Sequence, residues 1–230
     1  MKVRLRFSKT GALVYIGHLD VMRYFQKLFR RAKIPVAYSE GFSPHQILSF
    51  SPPLPLGMES TGEYADVEIT ERITSTEALR RLGEQSVDEI VIATFKELPE
   101  KCANAMASVN AASYTIYTGE NEYSHMKEGI AELLSQESVL AVKKSKKSTK
   151  EIDIRPLIYE LYADDEELAV NMLISSGSTD NLKPELVIDS LAGVCGYEFD
   201  TTALLIKRTD QYTYLNNKLV SLDEIGKIIT

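Results

Sequence analysis

The hydrophobic pattern changes its period within the first 32 residues, and this change constrains the fold more than any other feature of the chain. Residues 2–7 alternate, with Val3, Leu5 and Phe7 on one side, and a period of two is typical of a half-buried strand. From about residue 19 to residue 32, apolar residues recur at spacings of three and four, and Pro35 follows. The sequence therefore predicts a strand followed by an amphipathic helix.

The rest of the first half is predicted to contain three more strands and a second helix. Short apolar runs predict strands at residues 47–50, 64–70 and 90–95. Thr74 and Glu77 match a capping box, in which each side chain satisfies a backbone donor near the other, and so open a second helix. The order strand, helix, strand, strand, helix, strand is that of a ferredoxin-like domain, in which two helices cover one face of an antiparallel sheet and the other face stays open.

The same order of elements is expected again in the second half. The segment 98–110 has little amphipathic pattern and is interpreted as a connection. Beyond it the pattern predicts a helix at 123–135, a helix that begins at Pro184, and strands at 113–118, 139–143, 168–174 and 203–208, while residues 152–162 remain unassigned. We therefore predict an α+β fold of two tandem ferredoxin-like (βαββαβ) domains: residues 1–98, a linker at 99–111, and residues 112–230.

Charge is distributed unevenly along the chain. Residues 1–56 hold nine Lys or Arg against two acids, a balance of +7, whereas residues 57–230 hold 17 against 31, a balance of −14. A concentrated basic segment in an otherwise acidic protein favours one surface that binds an anionic partner such as nucleic acid. The candidate contacts are Lys2, Arg4, Arg6, Lys9, Arg23, Lys27, Arg30 and Arg31.

Two rows of cations emerge from these positions. If Val3, Leu5 and Phe7 face the helices, then Lys2, Arg4 and Arg6 point toward the open face of the sheet. A row of cations suits a phosphate backbone, but pairing with acids such as Asp66 and Glu68 on a neighbouring strand explains it equally well. The basic stripe of the helix lies on the opposite layer, so the two rows can serve different partners.

A turn rich in Gly, Ser and Pro separates the helix from the next strand. Such composition is typical of a rigid, shaped loop, and we interpret it as a recognition loop, with a plain proline-stiffened hairpin as the alternative. Its residues are Ser39, Gly41, Phe42, Ser43, Pro44 and His45.

Two histidines are candidates for acid–base chemistry. His45, in this turn, and His18, just before the helix, could each act as a general base or could order the local backbone. A second basic segment, KKSKKSTK at residues 143–150, predicts either a solvated hairpin tip or an arm for RNA or an acidic protein.

Several classes of protein lose support. The two cysteines, Cys102 and Cys195, lie in no CxxC or Cys/His ligand spacing, so no metal or iron–sulfur site is predicted. No apolar run is long enough to span a bilayer, and the start MKVRLRFSK is unlike a secretory signal. We expect a cytoplasmic protein that does not enter a membrane.

The stretch RLRFSKTGALVYIGHLDVMRYFQKLFRRAKIPVAYSEGFSPHQILSFSPPLPLGMESTGEYADVEI resembles the bacterial radical SAM-linked (radical SAM-associated) protein family, a domain of unknown function. Members occur as separate proteins or fused to cobalamin-binding radical SAM enzymes. The resemblance implies a radical SAM partner that carries the iron–sulfur cluster and S-adenosylmethionine, with no cofactor bound directly by this chain. The expected fold is also similar to that of the CRISPR-repeat-processing endoribonucleases.

Three functional hypotheses follow. The first is an RNA-binding accessory protein, without catalytic activity of its own, that presents tRNA or rRNA to a radical SAM modification enzyme. The second is a docking module that binds such an enzyme without touching RNA. The third is a metal-independent endoribonuclease that uses His18 or His45.

Overall fold

The computed structural model describes residues 1–144, 149–177, 180–200 and 204–230. The chain divides into two compact units: unit 1 comprises Met1–Val109 and Asp210–Thr230, and unit 2 comprises Asn110–Thr209. The C-terminal segment, which the sequence pattern assigns to the second domain, thus groups with the first unit. The division falls inside one strand, Leu205–Leu215.

The elements of the chain up to Val109 are, in order, β1 (Lys2–Lys9), a 3₁₀ turn (Gly11–Tyr15), α1 (His18–Arg31), β2 (Leu48–Phe50), β3 (Glu59–Glu68), α2 (Ser75–Gln85), β4 (Ile92–Glu97) and α3 (Ala105–Ser108). Those that follow are β5 (Ala111–Tyr117), α4 (Glu120–Ser135), β6 (Leu140–Lys144), β7 (Thr149–Asp153), β8 (Ile158–Asp164), β9 (Ala169–Ser175), α5 (Pro184–Cys195), β10 (Leu205–Leu215), β11 (Lys218–Ser221) and β12 (Lys227–Ile228). The protein is a mixed α+β protein whose sheet pairs are mostly antiparallel. No helix among the described residues is long and apolar enough to cross a membrane.

Unit 1 is built around β1. This strand pairs antiparallel with β3 on one side and β4 on the other, so that Leu5 lies opposite both Ala65 and Phe95. Strand β2 pairs with β3, and β12 pairs with β4. The sheet of this unit therefore includes the strand order β12, β4, β1, β3, β2.

The core of unit 1 confirms the predicted periodicities. Val3, Leu5 and Phe7 are buried, and so are the apolar residues of the inner face of α1, including Phe25. The rings of Phe7 and Phe25 lie 4.6 Å apart, centroid to centroid. Burial of these side chains fixes the face of the sheet on which α1 packs.

The opposite face of β1 is not open where Arg4 lies. Arg4 is 2% exposed and forms a bidentate ion pair with Asp66 on β3, at 2.7 Å and 2.9 Å. Its guanidinium also donates to the Ala103 carbonyl, and the Ala105 N–H donates to Asp66 Oδ2 at 2.7 Å. The segment interpreted as a simple connection thus covers this part of the sheet, because its backbone completes the hydrogen bonding of the ion pair.

Helix α2 begins as predicted at Thr74, whose Oγ accepts from the Glu77 N–H. The second half of the predicted capping box is replaced, since the Glu77 carboxylate accepts from Arg80 and Arg81. The hydrogen bonds from Arg80, followed by those from Arg81, lower the pKa of Glu77 from 4.5 to about 2.

This pKa predicts a pH-dependent contribution to stability. Because the pKa of Glu77 is lower in the folded chain than in the unfolded chain, its contribution is complete above about pH 4.5 and is lost as the pH falls toward 2. We expect Glu77→Gln to lower the melting temperature at pH 6 and to have no effect near pH 2, as measured by circular dichroism. A difference that stays constant with pH would contradict this assignment.

Unit 2 pairs β9 antiparallel with both β5 and β8, so that Met172 lies opposite Tyr114 and Leu161. Strand β5 also neighbours β10. The predicted strand at 139–143 is present as β6, but it pairs with β7 in a separate two-stranded sheet. The residues left unassigned in the sequence, 152–162, contain the end of β7 and most of β8.

Candidate functional site

Helix α1 carries an exposed row of cations on the side opposite its buried residues. Arg23, Lys27 and Arg30 recur at spacings of four and three and are all exposed. Arg23 contacts Asp20 at 3.3 Å. This ion pair is exposed and therefore contributes little to the stability of the fold. These three side chains therefore form a positively charged stripe along the exposed face of α1.

Hydrogen bonds between Ser39 and His45 close the loop that follows α1. The Ser39 N–H donates to the His45 carbonyl at 2.8 Å, and the His45 N–H donates to Ser39 Oγ at 3.1 Å. Ser39 Oγ also lies 2.8 Å from His45 Nδ1. Which of these two atoms donates depends on the tautomer of the imidazole, and in either case the contact ties the His45 ring to Ser39.

The tip of this loop presents aromatic surface to solvent. Phe42 is fully exposed, and Tyr38, at the base of the loop, is half exposed. Gly41 beside Phe42 adopts φ 107°, a conformation that favours glycine. The loop therefore offers two exposed aromatic rings that a ligand can contact.

Gln46 attaches the loop to α1. Its Nε2 donates to the Gln26 carbonyl at 3.3 Å and to the Tyr38 hydroxyl at 3.4 Å. The same Gln26 carbonyl accepts from Arg30 Nε at 3.3 Å. The base of the aromatic loop and the cationic row therefore meet at one backbone atom, and we call the set Arg23, Lys27, Arg30, Tyr38, Phe42 and His45 the helix-loop surface.

Sequence reasoning found the cations and the loop of this surface but missed Gln46. Its polar side chain is buried, and its Oε1 has no hydrogen-bond partner among the described residues. The only sequence signal is a polar residue immediately before the predicted strand 47–50, which does not indicate a contact with the helix.

The other predicted basic residues lie elsewhere. Lys2 is exposed at the start of β1, and Arg6 is half-buried, where it donates to the Thr61 carbonyl at 3.1 Å and lies 4.0 Å from Asp210. Arg4 is bound to Asp66 in the interior, as described above. The row predicted on β1 is thus divided among different environments rather than presented as one surface.

Arg31 is exposed but bound to α2. Its Nη2 donates to the Gln85 carbonyl at 3.0 Å, and its guanidinium lies 5.9 Å from the centroid of the Tyr24 ring. The first contact joins the C-terminal ends of α1 and α2, and the second lies within α1.

Lys9 and His18 border a small cavity. Lys9 is buried and donates to the Ile16 carbonyl at 2.9 Å, and the His18 ring lies edge-on to Phe50 with the centroids 5.5 Å apart. The cavity, which Ser51 and Glu63 also line, has a volume of about 20 Å³, room for about one water molecule. His18 and His45 therefore have different neighbours and do not form a pair.

Unit 1 also contains a largely buried polar cluster, which is formed by Tyr64, Asp210 and Ser221. The hydroxyls of Tyr64 and Ser221 donate to the two oxygens of Asp210, at 2.5 Å and 2.7 Å. Burial, and then the Asp210 charge, raises the pKa of Tyr64 above its ordinary value. These bonds hold the C-terminal segment of unit 1 against β3.

Two further features concern possible metal sites and the lysine-rich segment. Within the described ranges, no three His, Cys, Asp or Glu side chains form a group that could hold a metal ion. Of the lysine-rich segment 143–150, residues 145–148 lie outside the described residues.

A comparison with curated proteins finds no match to this chain. A family model matches residues 2–184, from β1 to the first residue of α5. Since this match covers most of the chain, the protein belongs to the bacterial family described as "Uncharacterized protein conserved in bacteria (DUF2344)".

Proposed function

We propose that the helix-loop surface binds unpaired RNA. The observation that carries this proposal is the Gln26 carbonyl, which accepts from both Arg30 and Gln46 and so fixes a cationic helix face beside an aromatic loop. Cations alone would fit any anionic partner, and exposed rings alone would fit many apolar ones. Their combination fits a ligand that has both phosphates and flat bases.

Each part of the surface has a stated role. Arg23, Lys27 and Arg30 neutralise successive phosphates and release their counterions. Phe42 and Tyr38 stack on bases, which are accessible only where the strand is unpaired. The exposed imidazole of His45 adds a hydrogen-bonding group to the same loop. The ligand class is therefore a loop, bulge or single strand rather than a regular duplex.

The resemblance to radical SAM-linked proteins supports a further part of the proposal. We propose that the chain presents a loop of tRNA or rRNA to a radical SAM enzyme. That enzyme carries the iron–sulfur cluster and S-adenosylmethionine. The chain acts by binding and orienting the RNA. The exposed loop would then lie at the interface with the partner enzyme.

We also infer that each unit is a variant of the ferredoxin-like fold. The order β4, β1, β3, β2 in unit 1, with α1 and α2 between its strands, supports this inference. In unit 2 the corresponding order is β10, β5, β9, β8, with the hairpin of β6 and β7 inserted after α4.

Phe42→Ala tests the aromatic part of the surface. We expect it to weaken binding of a fluorescein-labelled single-stranded RNA about tenfold in fluorescence anisotropy, because stacking one base contributes about 1–3 kcal/mol. Stability should not change, because the ring is fully exposed.

Tyr162→Ala, which removes an exposed aromatic residue of β8 in unit 2, is the matched control. Equal affinities for the two variants would remove Phe42 from the interface. Absence of binding by the wild type at low salt would reject the RNA proposal and favour a protein partner for the same surface.

A further inference from the structure

Unit 2 contains a groove between strand β6 and helix α5. Its volume is about 990 Å³. One side is formed by residues 139–143 and the other mainly by α5, where Leu186, Ser190 and Val194 follow one another along the helix. The groove shares no residue with the helix-loop surface, and the inference drawn from it does not depend on RNA binding.

The residues that line the groove show that it follows an edge of the hairpin. All five consecutive residues 139–143 line it, although side chains of a strand alternate between its two faces. A groove over one face of the hairpin would be lined mainly by every second side chain of β6 and would extend over β7 as well. No residue of β7, Thr149–Asp153, belongs to the lining, so the groove follows the edge of β6 that points away from β7.

The hydrogen-bond register determines which backbone groups point into this groove. The Ile154 N–H donates to the Val139 carbonyl, so Val139 and every second residue after it bond toward β7. Leu140 and Val142, opposite Asp153 and Glu151, therefore direct their N–H and C=O groups outward. In the part of the chain that the structure describes, no other strand pairs with this edge.

The dimensions of the groove suit one additional strand. A five-residue strand occupies about 800 Å³, from about 3.3 Å per residue, a spacing of about 4.8 Å between strands and a sheet thickness of about 10 Å. The side chains of Leu140 and Val142 are exposed beside the unpaired edge. On the helix side, a Cβ added at Gly193 would meet no atom within 4 Å, so α5 leaves space there for a side chain of a ligand.

Charge indicates the composition of that strand. Three carboxylates border the groove, from Glu132, Glu185 and Asp189, and the last two are one helical turn apart. Two lysines also border it, Lys143, which donates to the Asn181 carbonyl at 2.7 Å, and Lys183 at the start of α5, so the acids exceed the bases by one. Acidic side chains opposite an apolar edge favour a segment in which apolar residues alternate with basic ones.

We propose that β6 receives an extended segment of a partner polypeptide as a third strand of the hairpin. Backbone hydrogen bonds to Leu140 and Val142 provide affinity, as in other cases of strand addition. The exposed apolar side chains and the carboxylates of α5 select apolar and basic residues in the segment.

The test uses ¹⁵N-labelled full-length protein and a blocked nonapeptide that alternates valine with lysine. We expect the peptide to bind and to slow amide exchange at Leu140 and Val142. The same peptide N-methylated on the residues that face β6 should not bind, since it lacks the donors. A valine–glutamate analogue should bind more weakly.

Gly193→Phe is expected to weaken peptide binding about tenfold or more by filling the groove. Gly83→Phe is the matched control, because Gly83 in α2 is also helical and also has open space around an added Cβ. The double variant Glu185→Lys/Asp189→Lys provides a second test that leaves the groove open, and it should reverse the preference between the basic and acidic peptides.

Several results would overturn the proposal. They are equal binding of the N-methylated peptide, protection at residues outside β6, no effect of Gly193→Phe, and no binding of the basic peptide at all. Protection of Leu140 that increases with protein concentration in the absence of peptide would also overturn it, because the edge would then be paired with a second copy of the chain.

Discussion

Asp66→Ala is expected to destabilise the protein by about 3–5 kcal/mol, because it leaves the buried Arg4 guanidinium without its counter-charge. It also removes the acceptor of the Ala105 N–H, so the segment that covers this face loses its attachment. Arg4→Ala should have an effect of similar size. Urea denaturation monitored by circular dichroism measures both.

A matched control is available at the surface. Arg80 forms ion pairs with Glu77 and Glu84 at comparable distances, but all three side chains are more than one third exposed. Arg80→Ala should therefore cost less than about 1 kcal/mol. The double variant Arg4→Met/Asp66→Leu should be more stable than either single alanine variant, since it leaves no unpaired charge. If both single alanine variants lost as little unfolding free energy as Arg80→Ala, the burial of the ion pair would be contradicted.

Reversing the three cations of the helix-loop surface is expected to abolish RNA binding. If Arg23, Lys27 and Arg30 each neutralise one phosphate, the logarithm of the binding constant should fall with the logarithm of salt concentration at a slope of about −2 in the wild type. The variant Arg23→Glu/Lys27→Glu/Arg30→Glu should bind too weakly to measure at physiological salt. Anisotropy across a salt series measures both quantities.

The control must change the net charge equally. Lys101→Glu/Lys127→Glu/Lys218→Glu alters three exposed lysines outside the surface and lowers the net charge by the same amount. It should retain most of the affinity and the slope. Equal loss in the two triple variants would mean that binding follows overall charge, and the helix-loop surface would have no special role.

Periodicity was sufficient to predict the core of unit 1. Val3, Leu5 and Phe7 are buried against Phe25 as the change of period indicates, because alternation and helical spacing report directly which side of an element is apolar. The same alternation placed Arg4 on the other side of β1, which is correct. It could not show that residues 103–105 cover that side, because this contact is distant in sequence and is made partly by backbone atoms.

The helix-loop surface was predicted as two parts rather than as one. The charges of α1 and the stiff composition of residues 39–45 are visible in the sequence. Their proximity depends on a hydrogen bond from Gln46 to a helix carbonyl, and a carbonyl has no sequence signature. In unit 2, a strand at 139–143 was predicted, but its pairing with β7 was not, because apolar content does not specify a partner strand.

The most direct test of RNA binding by the helix-loop surface is photo-crosslinking of a single-stranded RNA that contains 4-thiouridine, followed by mass spectrometry of the crosslinked peptides. The proposal predicts crosslinks at Tyr38 and Phe42 and in peptides from α1, with loss of these crosslinks in the variant Arg23→Glu/Lys27→Glu/Arg30→Glu. Crosslinks confined to other segments, such as the lysine-rich residues 143–150, would contradict it.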